Sequence, residues 1–508
     1  MPDPGFEAVV SFLENGALGG PAERVDTHAA IVLLAGERAF KLKRPVRYSF
    51  LDFTTLAARE AALRHELELN RRTAPQLYRR VLPVTAEPDG GLALDGVGAP
   101  VEWLLEMRRF PAEAQLDRVA AAGGLHAEVV DALADAIAVA QAEAPPRPDR
   151  GGARAMGVVA DGNAEDLRAA VPDVFAAAEV EALTAATREW LSKLAGLLDH
   201  RRDQGFVRHC HGDLHLANLV LLDGRPTLFD CIEFDDAIAC IDVLYDLAFL
   251  IMDLIEQGYP EAACRLLNRW LERTGEHGGL ALLPLFLSLR AVIRAKVLGL
   301  AVLQADSGDP ARARRYLTLG RSFLSPPAPC LVAIGGRSGT GKTTLARNIA
   351  HHLGAAPGAV ILRSDVIRKS LFGREPTDRL PPEAYTSEVS RRVFALLAEH
   401  AATCLSAGHA VIADAVYGAP QQRAEIEAVA TSHDMPFLGI WLEAAQATCM
   451  VRVGERSGDA SDADARVVMR QTESIDAASV RWHRVRSDRP IAEVASDALL
   501  LLTDGMRR

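Results

Sequence analysis

Two short stretches of this 508-residue chain carry residue types spaced for chemistry on phosphate. Gly336 to Thr343 reads GRSGTGKT and satisfies GxxxxGK[ST] throughout. The glycines of such a loop let backbone N–H groups turn inward around a phosphate. The helix N-terminus that follows adds a favourable dipole and unpaired donors. Lys342 can reach the β and γ phosphates, and Thr343 can ligate magnesium. Gly336, Ser338, Gly339, Gly341, Lys342, Thr343 and Thr344 are therefore expected to hold a nucleotide. The second stretch, His211 to Asn218, reads HGDLHLAN. Asp213 and Asn218 are five apart, and Asp230 follows Asp213 by seventeen residues at the end of TLFD. A loop Asp can accept a proton from an attacking hydroxyl, or orient it. An Asn five residues later can turn back to hold magnesium, and an Asp after the next strand can hold the ions that bridge phosphates. Zinc bound by His211, Asp213 and His215 explains less, because no further ligand is marked and Asn218 and Asp230 are left without a role.

The elements around these stretches fit their chemistry. LVAIG is a short apolar strand feeding the glycine loop, and TLARNIAHHL continues it as a helix. AVILRSDVIRK places Asp365 just after a buried strand. There it can be the base or orienter of an acceptor hydroxyl or stand behind magnesium; an Asp at that point also caps helices. Arg368, three residues on, can hold an anionic or phosphorylated group. HAVIADAVY is a second apolar strand, ending at Asp414, a candidate magnesium-water ligand. After the strand FLGIWLEA, Arg452 and Arg456 are four apart and share a helical face. The polar GDASDAD that follows can act as a flap bringing Arg456 over the transferred phosphate. The plainer alternative is a solvated arginine pair beside acids.

In the N-terminal part, AAIVLLAG and RAFKLK read as two strands joined by a tight turn. Side chains alternate along a strand, so Lys41 and Lys43 share a face. HGDLHLAN with TLFD resembles the aminoglycoside phosphotransferase and choline-kinase-like family, and that resemblance implies an ATP-anchoring lysine on an early strand. Lys41 is preferred over Lys43 because Ala39-Phe40-Lys41 fits the small-x-Lys part of V-A-I-K. The next helix, REAALRHELELNRR, offers Glu66 and Glu68. These are two apart, so at most one should pair with the lysine, and Glu66 is preferred. VLPV, GLALDG and VEWLLEMRRF supply further strands, and Gly224 allows a hairpin turn in LLDGRP. From about Leu116 most segments are helical. The prolines of SPPAPC resist both helix and central strand. The expected division is a mostly β lobe over 1–115, a helical lobe over 116–326 and an α/β domain over 327–508.

Composition sets limits. At 49% hydrophobic and 24% charged, the chain can fill sizeable cores. A net charge of -11 argues against bulk nucleic-acid binding but leaves room for small anionic ligands. Arg481, His483, Arg484 and Arg486 hint at a local basic groove. Seven scattered cysteines, with no CxxC pair, argue against disulfides and a thiolate zinc site. The N-terminus lacks the pattern of a signal peptide. The most apolar stretch carries Arg290, Arg294 and Lys296, which a membrane span tolerates poorly. The expected setting is the reducing cytoplasm, with small-molecule substrates and no membrane.

The glycine loop with its strands resembles, over about residues 328–508, the small P-loop kinases of the gluconate-, shikimate- and polynucleotide-kinase-like kind and the zeta-toxin-like kinases. HGDLHLAN followed by TLFD resembles the aminoglycoside phosphotransferase and choline-kinase-like family, over about residues 25–320. This second resemblance implies a protein-kinase-like fold with ATP between a β lobe and a helical lobe. It implies Asp213 as catalytic base, Asn218 and Asp230 as magnesium ligands, and His211 as a support of the loop. Asp242 and Asp246 match the family's following acidic pair, and the strand around Met107 resembles the hinge that meets adenine. No G-x-G-x-x-G loop precedes RAFKLK, a departure from protein kinases that antibiotic- and choline-type kinases often share. The two halves together resemble a bacterial group of fusions between an aminoglycoside-phosphotransferase-like domain and a P-loop ATPase or kinase domain. The fold class implied is α+β and α/β: a bilobal kinase-like half, then a parallel-sheet P-loop domain. The activity implied is transfer of the γ-phosphoryl of Mg-ATP to small-molecule hydroxyls, with both halves active. Two alternatives are a nucleotide-binding regulatory protein and a P-loop half acting on a nucleic-acid or nucleotide-sugar hydroxyl.

Overall fold

The computed structural model describes residues 4–48, 51–305, 309–455 and 460–505. Two compact units emerge, one of residues 1–158 with 195–253, the other of 159–194 with 254–508. The helical segments 159–194 and 254–326 therefore group with the phosphate-loop sheet, across the expected boundary near 327. No helix among the described residues is long and apolar enough to cross a membrane. The seven cysteines are buried and free.

The first unit is built on a six-stranded antiparallel sheet. Its strands run in the order Glu23–Asp26, Ala30–Ala35, Arg38–Lys43, Ala99–Arg108, Tyr78–Ala86, Leu92–Leu94. Period-two alternation divides its side chains between two cores. Ile31, Leu33, Phe40, Leu42 and Leu104 pack against Phe6, Val9, Val10 and Leu13 of the N-terminal helical segment. Leu105 and Tyr78 face the other way, against Leu63 of helix Leu56–Asn70. Lys41 is the Cα partner of Leu105 and so points to that second side. The helix begins at Thr55, whose hydroxyl accepts from Ala58 N. Two features went unread in the sequence. The edge strand Glu23–Asp26 is exposed at all four positions and shows no alternation. The opening helix Pro4–Phe12 also carried no expectation.

Below the sheet, Leu219–Leu222 and Arg225–Leu228 form a hairpin. Asp223 and Gly224 both have positive φ (50° and 79°), which a two-residue turn of this hand requires. Val207–His209 pairs antiparallel with Cys240–Asp242. The HGDLHLAN segment is carried between these two small ladders.

In the second unit a five-stranded, all-parallel sheet has the order Val360–Arg363, Val411–Asp414, Leu331–Gly336, Phe437–Glu443, His483–Arg486. The central strand is buried at every position, as a parallel strand covered on both faces must be. Helices Lys342–Ile349 and Ile491–Gly505 fill one face, with Leu345, Ile349, Val494 and Leu502 against Val332, Ile334 and Ile440. Of the residues read as a basic groove, His483, Arg484 and Arg486 lie on the edge strand and Arg481 just before it. Arg484 pairs with Glu443 at 3.0 Å and Arg486 with Asp488 at 2.9 Å.

Candidate phosphotransfer sites

In the first unit, strand alternation and helix spacing bring Lys41, Lys43 and Glu66 together. Glu66 is fully buried, and its two oxygens each meet one lysine, Lys41 Nζ at 2.7 Å and Lys43 Nζ at 2.7 Å. Glu68 lies on the exposed side of the helix. The choice between the two lysines is thus a shared arrangement. Lys41 also donates to Asp230 Oδ1 at 2.6 Å, and Lys43 donates to Glu233 Oε1. Burial alone would lower the pKa of Lys41, but Asp230 and Glu66 outweigh it and hold the ammonium well above its usual range. Burial likewise opposes ionisation of Asp230, and Lys41 more than compensates, so its carboxyl sits below the usual range.

Asp230 occupies left-handed backbone (φ 59°) and its N–H donates to the Tyr78 hydroxyl at 3.0 Å. That bond fixes the carboxylate just past the hairpin. Asn218 Nδ2 donates to Asp213 Oδ2 at 2.9 Å and to Asp213 O at 3.0 Å. His215 Nε2 lies 3.3 Å from the same Asp213 oxygen. His211 Nε2 meets Phe229 O at 2.9 Å, a loop-bracing contact. Asp246 accepts from Gly212 N and Asp253 from Leu216 N, so helix Val243–Glu256 holds the loop by its backbone. Asp242 is engaged elsewhere, in a buried bidentate pair with Arg201 at 2.7 and 2.9 Å. Met107 lies near the end of its strand, paired with Ala39 and Tyr78.

The glycine loop of the second unit is shaped as its sequence requires. Gly336, Gly339 and Gly341 have φ of 137°, 83° and 88°. A Cβ on Gly336 would sit 2.7 Å from Leu442 O, and one on Gly339 would sit 2.5 Å from Cys449 O. Lys342 and Thr344 open the helix Lys342–Ile349, and Lys342 Nζ donates to Arg337 O at 3.2 Å. Thr343 Oγ1 donates to Asp414 Oδ2 at 2.5 Å, so the hydroxyl and the strand-end carboxylate meet. Ser338 is buried and its N–H donates to Gln471 Oε1 at 2.8 Å.

Asp365 stands in the first turn of helix Ser364–Leu371. Burial raises its pKa, against the pull of Arg363. Arg368 is only 7% exposed; it donates to Ala384 O at 2.7 Å and stacks 5.1 Å from the Tyr385 ring centroid. Among the described residues no carboxylate lies within ion-pair distance of it. Arg456 lies outside the described residues. Arg452 donates to Ser487 O at 2.8 Å. Part of the acidic segment read as a flap is tied down: Asp462 accepts from Lys369 Nζ, Leu380 N and the Tyr385 hydroxyl.

Several of these partners were not singled out in the sequence. Glu233 follows Asp230 by three in FDCIEF, a spacing that was there to be read. Lys369, Tyr385 and Gln471 had no motif around them, and Asp462 was read only as part of the GDASDAD flap. A cluster of His209, Asp236 and Cys240 brings ligand atoms within 4.8 Å of one another. The Arg147 guanidinium already fills it, 3.0 Å from Asp236 Oδ2 and 3.1 Å from Cys240 Sγ.

Two family models match separate stretches of the chain, and the first runs through segments that pack with the second compact unit. Residues 40–283 match the phosphotransferase enzyme family and residues 331–478 match an AAA domain. The uncharacterized protein Rv2004c of Mycobacterium tuberculosis is 31% identical over 449 residues, covering 87% of this chain and 88% of the relative. An uncharacterized protein of Mycobacterium bovis matches to the same extent. Solved structures with likeness include a choline/ethanolamine kinase family protein from Mesorhizobium loti. It is 12% identical and covers 63% of this chain and 95% of its own, with a TM-score of 0.40. A gluconokinase from Sinorhizobium meliloti is 20% identical and covers 35% of this chain and 95% of its own, with a TM-score of 0.27. The chain belongs to the family of these mycobacterial relatives, and it joins a phosphotransferase domain of the aminoglycoside-kinase type to an AAA-type P-loop kinase domain.

Proposed function

We propose that this protein is a bifunctional kinase, each half transferring the γ-phosphoryl of ATP to a hydroxyl of a different small molecule. The observation that carries the reading is that each half sets a lysine beside oxygen groups suited to a hard cation. In the first, Lys41 neighbours Asp230, and Asn218 is held against Asp213. In the second, Lys342 adjoins Thr343, which touches Asp414. Carboxylate, amide and hydroxyl oxygens are the donors magnesium takes. When bound, Mg-ATP supplies the transferable phosphoryl group and neutralises its charge.

The chain's own residues do the rest. Asp213, steadied by Asn218 and neighboured by His215, accepts the proton of the acceptor hydroxyl. Lys41, kept charged by Glu66, meets phosphate oxygens in place of Asp230. In the second half the inward N–H groups of the glycine loop and Lys342 hold the phosphates. Asp365, its pKa raised by burial, takes the acceptor's proton. Arg368 supports an anionic acceptor for this half, since a buried guanidinium without a carboxylate partner is costly until an anion joins it.

Calorimetric titration with Mg-ATP tests the reading. The expected stoichiometry is two per chain, falling to one in Lys41→Met and in Lys342→Ala and to zero in the double variant. A stoichiometry of one in the native protein, abolished by a single one of these changes, would leave only one half as a kinase.

A further inference from the structure

The helix that follows the acidic segment, Ala465–Ser474, is bonded directly to the glycine loop. Gln471 Oε1 accepts from Ser338 N at 2.8 Å. One residue on, Thr472 Oγ1 accepts from Arg337 Nη1 at 2.9 Å and donates to Val468 O at 2.9 Å. The same guanidinium donates through Nη2 to Ala444 O, 3.2 Å away, just past the strand Phe437–Glu443. Two separate pieces of chain, this helix and the end of that strand, thus meet on two consecutive loop residues. Neither Gln471 nor Arg337 belongs to the residues that GxxxxGK[ST] specifies.

The physical reason for such a brace lies in the loop itself. A loop whose N–H dipoles converge on an empty centre repels itself and tends to relax outward. Keeping it pre-shaped lowers the ordering cost of binding. Gln471 takes the Ser338 N–H with a neutral oxygen, so the loop keeps its positive field for the incoming triphosphate. A carboxylate there would accept the same bond but oppose the ligand's charge.

We propose that Gln471 and Arg337 are positioning residues that hold the glycine loop in its phosphate-binding shape and tie that shape to helix Ala465–Ser474. The inference rests on the reading of this half as an ATP site. It gives the segment after the candidate flap a defined part in nucleotide affinity.

The test compares Gln471→Ala with Gln471→Glu, both in a Lys41→Met background that silences the first site. Two readouts are needed: ATP affinity by calorimetry, and hydrogen exchange of the peptide containing residues 336–343. In Gln471→Ala, exchange in the empty loop should rise and ATP should bind about tenfold more weakly, the scale of one lost hydrogen bond to a buried donor. In Gln471→Glu, exchange should stay slow while affinity still falls, because the bond is kept and the charge is wrong. That split separates a brace on the loop from general damage to the fold, which would move both readouts together. If Gln471→Ala leaves exchange and affinity unchanged, the inference is overturned. Lys342→Ala in the same background keeps the two failures apart. If it binds ATP as well as its parent, the phosphate-site reading fails and takes the brace with it. If it loses ATP while Gln471→Ala does not, only the brace fails.

Discussion

Replacing Lys43 by methionine should expose the cost of the buried charge network most clearly. Lys43 is 4% exposed and lies between Glu66 and Glu233, which are 0% and 8% exposed. Removing it leaves three acids, Glu66, Asp230 and Glu233, facing Lys41 alone. Breaking a buried pair by deleting one partner costs about 3–5 kcal/mol, because the remaining charge stays in low dielectric. Glu233 is the acid most ready to yield: burial already raises its pKa, and Lys43 is the nearest opposing influence. In Lys43→Met that carboxyl should rise further and take up a proton. The sign follows. A folded carboxyl with a raised pKa is penalised above that pKa, where it must ionise, and is relieved below it. The variant's deficit should therefore be greatest near pH 8 and shrink towards pH 5. Glu233→Gln added to Lys43→Met should recover more than about 1 kcal/mol, since the two sites are in contact and their effects cannot add. Hydrogen exchange of peptides covering 38–43 and 56–70 reads the local opening energy directly. A loss below about 1 kcal/mol, or one independent of pH and of Glu233, would refute the view that these charges form one network.

Three further outcomes follow from other parts of the molecule. Asn268 on helix Pro260–Thr274 donates to Ala359 O at 3.0 Å and accepts from Ile361 N at 2.6 Å, flanking the edge strand that leads to Asp365. Asn268→Ala should cost about 2–4 kcal/mol, as two buried backbone groups lose their partner, and a chain cut at residue 327 should show the same defect; a chemical-denaturation series would show it. Burial pushes His277 and His409 down to about 4, with His400 adding to the effect on His277. They are neutral in the fold, so stability should hold above pH 6.5 and fall as pH drops towards 4, by about 3 kcal/mol for each histidine; His409→Asn should flatten part of that profile in thermal melts. Arg368→Gln should raise the KM of the second half's acceptor while leaving the Kd for ATP within about twofold, whereas equal weakening of both would place Arg368 in general structure.

The sequence exposed what is local and left out what is assembled from afar. GRSGTGKT, HGDLHLAN and TLFD are short segments whose backbone shape their own glycines and strands impose, so their place in the fold followed from the chain alone. Lys41 and Glu66 could be paired because a strand and the next helix each have a simple period. Glu233, however, reaches Lys43 across 190 residues, and nothing in either segment's periodicity announces the partner. The edge strand His483–Arg486 was hidden by its charges, since an outer strand need bury only alternate positions; Val485 is its one buried residue. The division into compact units also lay beyond a local reading. The prolines of SPPAPC mark a break in secondary structure, yet Asn268 and Cys264 bind the helical segment to the sheet that follows.

Phosphoryl transfer itself decides the central claim. Native protein, Asp213→Asn and Lys342→Ala are each incubated with Mg-ATP and a cytoplasmic metabolite extract, and products gaining one phosphoryl group are sought by mass spectrometry. Two products are predicted, one lost only in Asp213→Asn and the other only in Lys342→Ala. Survival of every product in both variants, or the absence of any product beside confirmed ATP binding, would contradict it.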